Sequence, residues 1–250
     1  MSTEVICYRD AYVREISGLV TSSERADEGY GLVVLDRTVF YPGGGGQPSD
    51  RGSLTAPDGT SWEVRAARRL GPDIVHEVIE QPGVGLPAAG STLTAVIDWP
   101  RRHLLMRTHT ALHALCGVVW RDHGALVTGG NMEPGTGRMD FEFESLRAEL
   151  AASIEATVNR ELAARRPVRV RFLTLEEAAA TPDLIRTRTN LLPEGITEVR
   201  VIDIEGLDMQ ADGGTHVANT SEVGSIRITG TESKGRINKR IRLELVDPVT

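Results

Sequence analysis

The chain has 250 residues, a formal net charge of −7, 40% hydrophobic residues and 25% charged residues, a globular balance that argues against wholesale disorder. The negative charge argues against a broadly basic nucleic-acid-binding protein but is compatible with a local basic patch. No stretch approaches the ~20 apolar residues of a membrane span, and the N-terminal sequence does not resemble a signal peptide. The two cysteines, Cys7 and Cys116, form no CxxC motif. We therefore expect a cytoplasmic protein in a reducing compartment that does not enter a membrane.

Residues 1–95 are predicted to be all-β. Short stretches rich in strand-forming residues follow one another, namely Leu32–Phe40, Gly52–Thr55, Ser61–Arg65, Asp73–Ile79 and Ser91–Ile97. Turn residues such as Asp58-Gly59, and the Pro- and Gly-rich stretch 81–90, separate them. Short strands at this density are typical of a small barrel or sandwich.

A helix is predicted from Asp98-Trp-Pro100 to about Trp120, with the proline in the first turn, where its missing N–H is harmless. Gly124, Gly129-Gly130 and Gly135 to Gly137 are predicted to mark loops, and Arg138–Phe143 alternates like a strand. Apolar residues at steps of four predict a second helix that Pro167 stops; they are Leu146, Leu150, Ile154, Val158 and Leu162.

After that helix, the sequence predicts a strand over Val168–Phe172 and a capping box, Thr174-x-x-Glu177, opening a short helix that ends near Thr181-Pro182. Further strands are predicted over residues 196–204, 225–229 and 236–246. Helices and strands do not alternate regularly, which indicates an α+β class. We therefore predict two domains, a β-barrel of residues 1–95 and an α+β domain of residues 96–250.

Two segments carry residues suited to a metal. His109 and His113 are four residues apart in the predicted helix, so both imidazoles lie on one face. Alone, such a pair is more often plain packing than a metal site. A hundred residues later, a Gly-rich loop holds Asp212 and His216. Three imidazoles and one carboxylate form a credible tetrahedral zinc set.

The stretch Phe40–Gln47 contains four successive glycines before Gln47. No Gly-Lys-Ser/Thr follows, so it is not a phosphate-binding P-loop. The simpler interpretation is a flexible hairpin turn. A turn needs only one or two glycines, however, so four in succession also suit a loop whose backbone approaches a ligand.

Between residues 227 and 242 the charge changes sign, with one acid, Glu232, against six basic residues. These are Arg227, Lys234, Arg236, Lys239, Arg240 and Arg242. The run is equally compatible with a solvated edge strand protected by charge and with a phosphate-contacting patch.

Together these stretches resemble the AlaX family of freestanding alanyl-tRNA editing proteins, which are similar to the editing domains of alanyl- and threonyl-tRNA synthetases. The resemblance covers most of the chain and rests on five segments in the same order. They are Phe40–Gly52, His109–His113, Gly137–Phe141, Gly213–Val217 and Ser233–Arg236.

The chain departs from the family pattern at Asp212, where the resemblance leads one to expect Cys-x-x-x-His. A carboxylate oxygen binds zinc at ~2.0–2.2 Å, against ~2.3 Å for a thiolate. Cys116, one helical turn beyond His113, is an alternative fourth ligand.

The resemblance implies a zinc-dependent enzyme that deacylates mischarged tRNA(Ala), carrying serine or possibly glycine, and acts in trans. It implies zinc ligands His109, His113, Asp212 and His216. For substrate or water, the candidate catalytic residues are Gln47, Thr110 and Thr215. For tRNA phosphates, the candidates are Arg138, Lys234, Arg236, Lys239 and Arg240. A monomer is expected.

Two alternatives stay open. The first is a zinc-stabilised module that binds tRNA without hydrolysing the ester. The second is a metallohydrolase of small esters or amides that uses no nucleic acid.

Overall fold

A computed structural model describes residues 2–26, 29–181, 184 and 197–246 of the chain. By its internal contacts, the chain divides into two compact units, residues 1–103 and 104–250. The assignment of independent domains to residues 1–95 and 96–250 stays a prediction, because a compact unit is not by itself shown to fold alone.

The first unit contains a closed six-stranded antiparallel barrel. The strands of this unit are β1 (Glu4–Val5), β2 (Glu15–Arg25), β3 (Tyr30–Leu35), β4 (Arg37–Thr38), β5 (Gly52–Thr55), β6 (Ser61–Leu70), β7 (Asp73–Ile79) and β8 (Thr92–Ile97). The barrel has the order β2-β3-β7-β6-β5-β8, and the short strands β1 and β4 pair beside it in parallel. The prediction of a barrel or sandwich is thus resolved as a barrel.

Alternating apolar residues fill the barrel. In β3 and β8 every second side chain is buried, as expected for strands with one face toward a core. Val33, Leu35, Leu54, Ile74 and Leu93 are at most 1% exposed. Closure of the barrel removes the unpaired edges that an open sheet would leave.

The loop of four glycines is a tight turn whose backbone needs every one of them. Gly43, Gly44, Gly45 and Gly46 all have positive φ, at 79°, 130°, 58° and 85°, a region in which other residues are strained. Gly44 and Gln47 exchange two backbone hydrogen bonds, each of 3.0 Å. The turn itself therefore explains the glycines without a ligand.

The second unit is an α+β structure that begins within a long helix, α1 (Trp99–His123). Its further elements are β9 (Val127–Glu133), β10 (Thr136–Glu142), α2 (Ala148–Ala163), β11 (Val168–Thr174), α3 (Leu175–Ala180), β12 (Glu198–Ile204), β13 (Asp208–Ala211), β14 (Ser225–Ser233) and β15 (Asn238–Val246). The strands form one sheet of order β14-β15-β10-β9 and a second sheet of order β11-β12-β13. The predicted capping box at Thr174 is confirmed; Pro182 and Ile196 lie outside the described residues.

The prediction of loops at Gly129-Gly130 and at Gly137 was wrong. Gly129 and Gly130 lie within β9, where pairing with Asp140 and Met139 of β10 holds them extended. Gly137 lies within β10, and a Cβ atom there would come 3.0 Å from the side chain of Leu112. This glycine therefore serves packing against α1, and only Gly135, with φ of 83°, forms the turn.

The second helix is shorter than predicted. It begins at Ala148, so Leu146 precedes it, and its buried face is formed by Ala151, Ile154, Val158 and Leu162. It ends at Ala163, four residues before Pro167, and Arg165 then adopts a left-handed φ of 55°. The proline is therefore not the residue that ends the helix. Across the described part of the chain, no helix is both long enough and apolar enough to cross a bilayer.

Candidate metal centre

Helix α1 contributes His109 and His113 to a largely buried cluster. One helical turn separates the two residues, which are 4% and 6% exposed. Their ring centroids lie 5.1 Å apart. The neighbouring faces of α1 are covered as well, because Leu105, Leu112 and Leu115 are at most 2% exposed. The helix thus presents both imidazoles inside the second unit.

The loop after β13 contributes Asp212 and His216. Two hydrogen bonds to Arg200 of strand β12 hold this loop. The backbone carbonyl of Arg200 accepts from the Asp212 N–H at 3.2 Å, and the Arg200 Nη1 atom donates to the Asp212 carbonyl at 2.6 Å. The Gly214 N–H donates to Asp212 Oδ1 at 2.8 Å, which curls the loop around the carboxylate.

The four side chains meet. Each residue offers one potential ligand atom, and these atoms all lie within 4.8 Å of one another. Asp212 Oδ1 is 3.1 Å from His216 Nε2 and 3.7 Å from His109 Nε2. The juxtaposition inferred from two segments a hundred residues apart is therefore present.

Hydrogen bonds select which ring nitrogen of two histidines faces the cluster. His113 Nδ1 lies 3.0 Å from Asp208 Oδ2, so it carries the proton and leaves Nε2 as a lone pair. Thr110 donates its single hydroxyl proton to the Met106 carbonyl at 2.9 Å and accepts from the Val217 N–H. It can therefore only accept from His216 Nδ1, at 3.3 Å.

Burial keeps the imidazoles of His109 and His216 neutral. It lowers the pKa of His109 to about 4, with the charges of His113 and Arg200 acting in the same direction. It also lowers the pKa of His216 well below its usual range. For Asp212, burial alone would raise the carboxyl pKa, but the neighbouring imidazoles, His109 foremost, bring it well below its ordinary value. At neutral pH the site thus joins the neutral imidazoles of His109 and His216 to the carboxylate of Asp212.

This donor set fits a divalent cation. His216 Nε2 faces Asp212 Oδ1 at 3.1 Å, so a cation bound between them would contact both atoms. Three imidazoles and a carboxylate are a ligand set that zinc accepts. Cys116 is not part of this group, because its Sγ accepts a hydrogen bond from Gln210 Nε2 at 3.2 Å.

Sequence reasoning missed Asp208 and Gln210. Both are buried, and Gln210 Nε2 donates to Asp208 Oδ2 at 2.8 Å. Strand β13 is only four residues long, and Asp-Met-Gln-Ala contains no strong strand former. The available signal was the spacing of two residues, which places Asp208 and Gln210 on one face of an extended segment leading to Asp212.

The three candidate catalytic residues have different surroundings. Gln47 belongs to the first unit, where it is 2% exposed at the end of the glycine turn. Thr110 and Thr215 are fully buried in the second unit. The hydroxyl of Thr110 is occupied by Met106, Val217 and His216. The roles of all three residues in catalysis stay predictions.

The candidate tRNA-contacting residues lie on β10 and on the β14–β15 hairpin, and several have partners within the chain. Arg240 donates to both carboxylate oxygens of Asp140, at 2.7 and 2.8 Å, which lowers the pKa of that carboxyl. Lys239 is only 9% exposed, and its Nζ atom donates to the backbone carbonyls of Gly235 and Arg236.

The other three candidates are more accessible. Arg138 contacts Asp140 at 3.2 Å and Lys234 contacts Glu232 at 3.0 Å. Arg236 is exposed, and no salt bridge joins it to any residue that the structure describes. Arg236 is thus the candidate best placed for an external phosphate.

Two family models match the chain. Residues 199–242, which include the Asp212–His216 loop, match the threonyl and alanyl tRNA synthetase second additional domain. Residues 3–101 match the model of class II (A) tRNA synthetases.

The chain is also similar to curated proteins. The alanyl-tRNA editing protein AlaX-M of Methanosarcina acetivorans is 37% identical over 249 residues, covering 98% of this chain and 100% of that protein. AlaX-M of Saccharolobus solfataricus is 34% identical over 96% of this chain and 97% of that protein. The alanine–tRNA ligase of Thermofilum pendens is 38% identical over 80% of this chain, which is 22% of that protein.

Proposed function

The chain belongs to the AlaX family of alanyl-tRNA editing proteins, and on that premise we propose that it hydrolyses the ester joining serine or glycine to the 3′ adenosine of tRNA(Ala). It is an aminoacyl-tRNA deacylase that acts in trans, in the cytoplasm, as a monomer. Such an enzyme is needed because the alanine pocket of a synthetase cannot strongly reject amino acids that differ from alanine by one small group. One such group changes the binding free energy by only about 1–3 kcal/mol.

The observation that carries the proposal is the convergence of His109, His113, Asp212 and His216 in the second unit. Their two segments are a hundred residues apart in sequence, yet their potential ligand atoms lie within 4.8 Å of one another. Three imidazoles and one carboxylate are a ligand set that zinc accepts.

We propose zinc as the cation, with these four residues as its ligands. When bound, zinc would act as a Lewis acid toward the ester carbonyl or toward a water molecule. The side chain of Asp212 is the most exposed of the four, at 12%, against 2–7% for the histidines. The carboxylate therefore lies nearest to solvent, where water and substrate arrive, and is the ligand best placed to yield a position to them.

Other candidate residues have proposed roles as well. Thr110 holds the ring of His216 and is thus assigned to ligand positioning rather than to contact with substrate. Thr215 is proposed to contact the amino acid or the attacking water. Arg236, with Arg138 and Lys234, is proposed to contact acceptor-stem phosphates, which makes tRNA(Ala) binding sensitive to salt.

Deacylation of Ser-tRNA(Ala) and Gly-tRNA(Ala) tests the proposal with His113→Ala and a matched control, His123→Ala. Both histidines belong to α1, but His123 is exposed at its end and contacts Phe143 rather than the cluster. We expect His113→Ala to lose turnover and His123→Ala to keep it. Undiminished turnover in His113→Ala would remove the cluster from the reaction.

Binding assays and assays with small esters test the two alternative functions. A module that only binds tRNA would hold tRNA(Ala) and metal but release no amino acid. A hydrolase of small esters would cleave them equally well at low and high salt and after Arg236→Ala, because no phosphate contact would contribute.

A further inference from the structure

A second carboxylate, Asp208, stands behind the proposed ligand set. Its side chain is fully buried, and its Oδ2 atom accepts hydrogen bonds from His113 Nδ1 at 3.0 Å and from Gln210 Nε2 at 2.8 Å. It is too far behind the ring to belong to the group of converging ligand atoms. Its contact with the cluster is made through the imidazole of His113.

The close approach of Asp208 to α1 depends on a glycine. A Cβ atom at Gly117 would lie 2.9 Å from the Leu207 carbonyl oxygen and 3.0 Å from Asp208 Cβ. Glycine within a helix costs about 1 kcal/mol relative to alanine. Gly117 lies one turn after His113, so the bare helix surface there admits β13 and brings the carboxylate to the ring.

The amide of Gln210 limits the freedom of Asp208. Its Nε2 donates both to Asp208 Oδ2 and to Cys116 Sγ, at 2.8 and 3.2 Å. A continuous buried chain of hydrogen bonds thus runs from a thiol of α1 through Gln210 and Asp208 to His113.

We propose that Asp208 is a positioning residue that fixes His113 in the Nδ1–H tautomer and directs Nε2 into the cluster. The inference rests on the proposed metal function. A carboxylate in this place makes the imidazole a stronger electron donor and holds its ring plane. Its negative charge, added to that of Asp212, also balances a divalent cation surrounded by neutral imidazoles.

Zinc affinity of the full-length chain tests this role without reference to activity. We would measure the dissociation constant of zinc by competition with a chromophoric chelator for wild type, Asp208→Asn and Asp208→Ala. The matched control is Asp140→Asn, because Asp140 is also a largely buried carboxylate of the second unit, bonded to Arg240 instead of a histidine.

We expect zinc affinity to fall about 10–100-fold in both Asp208 variants and to stay unchanged in Asp140→Asn. Zinc binding by Asp208→Ala as tight as that of the wild type would overturn the positioning role while leaving the proposed function intact. A wild-type protein that takes up no zinc would overturn both.

A measurement on the wild type keeps the test decisive should the Asp208 variants fail to fold. Nitrogen-15 NMR of the histidine rings in the zinc-loaded protein reports which nitrogen carries the proton. We expect a protonated Nδ1 and an unprotonated Nε2 in His113. The opposite tautomer would overturn the proposal, because Asp208 would then accept no proton from the ring.

Discussion

Nε2 of His216 and Oδ1 of Asp212 face each other at 3.1 Å, inside the group of potential ligand atoms. A cation bound between them would be coordinated by both atoms. Asp212→Ala should therefore lower zinc affinity at least about 100-fold, more than the loss of an outer hydrogen-bonding partner. Metal analysis of the purified protein and chelator competition measure the effect.

Two companion variants make the Asp212 result specific. Asp212→Cys restores an ionised ligand and should retain zinc, because a thiolate is also a zinc ligand. Asp203→Ala, which removes a carboxylate paired with Arg171 on the neighbouring strand, should not change metal content. Equal zinc content in Asp212→Ala and Asp203→Ala would show that the Asp212 carboxylate is not a ligand.

Unlike Asp212, Cys116 is not expected to bind zinc. Its Sγ is 1% exposed and accepts a hydrogen bond from Gln210 instead of pointing among the ligand atoms. Cys116→Ala should leave zinc content unchanged and reduce the free energy of unfolding by about 1 kcal/mol, a common cost of a buried substitution. Loss of zinc in this variant would restore the thiol as an alternative fourth ligand.

Thr110 is expected to act through its hydroxyl. In Thr110→Val, the Val217 N–H and the His216 Nδ1–H both lose a buried acceptor, and each such loss costs about 1–3 kcal/mol. The variant should unfold at lower urea and bind zinc more weakly, whereas Thr110→Ser keeps the hydroxyl and should resemble the wild type. If valine and serine bind zinc equally well, Thr110 does not orient His216.

The cluster of three histidines and Asp212 was predictable from sequence because each half is local. His109 and His113 share a helical face by spacing alone, and the glycines at 213 and 214 predict a tight loop between Asp212 and His216. That the two halves meet was an inference from their residue types. The long helix α1 was predictable for the same reason, since its apolar residues repeat over many turns.

What the sequence did not reveal depends on contacts made at long range. Strand β2, Glu15–Arg25, has only Gly18 and Val20 buried, and its second half is Ser- and Thr-rich and polar, so its pattern does not resemble a strand. It is held by pairing with β3 and β8. Strand β13 is likewise held by pairing with β12, and missing it concealed Asp208.

The basic hairpin should divide into residues that bind tRNA and residues that hold the fold. Arg236→Ala should weaken tRNA binding by about the same factor whatever the sequence of the acceptor stem, because a phosphate contact does not read bases. It should also reduce the slope of log affinity against log salt concentration by about 1. Arg240→Ala removes both hydrogen bonds to Asp140 and should instead lower the unfolding temperature. Fluorescence titration with tRNA at several salt concentrations, beside thermal melts, separates the two effects.

The same experiment can contradict this division. If Arg236→Ala leaves the salt slope unchanged, the run between residues 227 and 242 is an edge protected by charge and not a phosphate-contacting patch. A reduced slope in Arg240→Ala, without a change in unfolding temperature, would show that its guanidinium leaves Asp140 to contact RNA.

His76, inside the barrel, should make stability depend on pH. Its ring is fully buried between Thr38 and Val33, with hydrogen bonds of 2.7 and 2.9 Å. Burial lowers the pKa of His76 from 6.5 to about 4, although the hydrogen bond to Val33 acts the other way. Between these two values the unfolded chain binds a proton that the folded chain refuses. Stability is therefore complete above pH 6.5 and falls as the pH drops toward 4, by about 3 kcal/mol in total.

Urea unfolding at pH 7, 6 and 5 measures this loss, and His76→Gln is the matched variant. Glutamine can donate to the Val33 carbonyl and accept from the Thr38 hydroxyl, as the imidazole does, but it does not titrate. We expect the variant to be less stable at pH 7, because its fit is poorer, and to lose less stability on acidification. Parallel pH dependence in the two proteins would mean that carboxylates, and not His76, govern acid unfolding over this range.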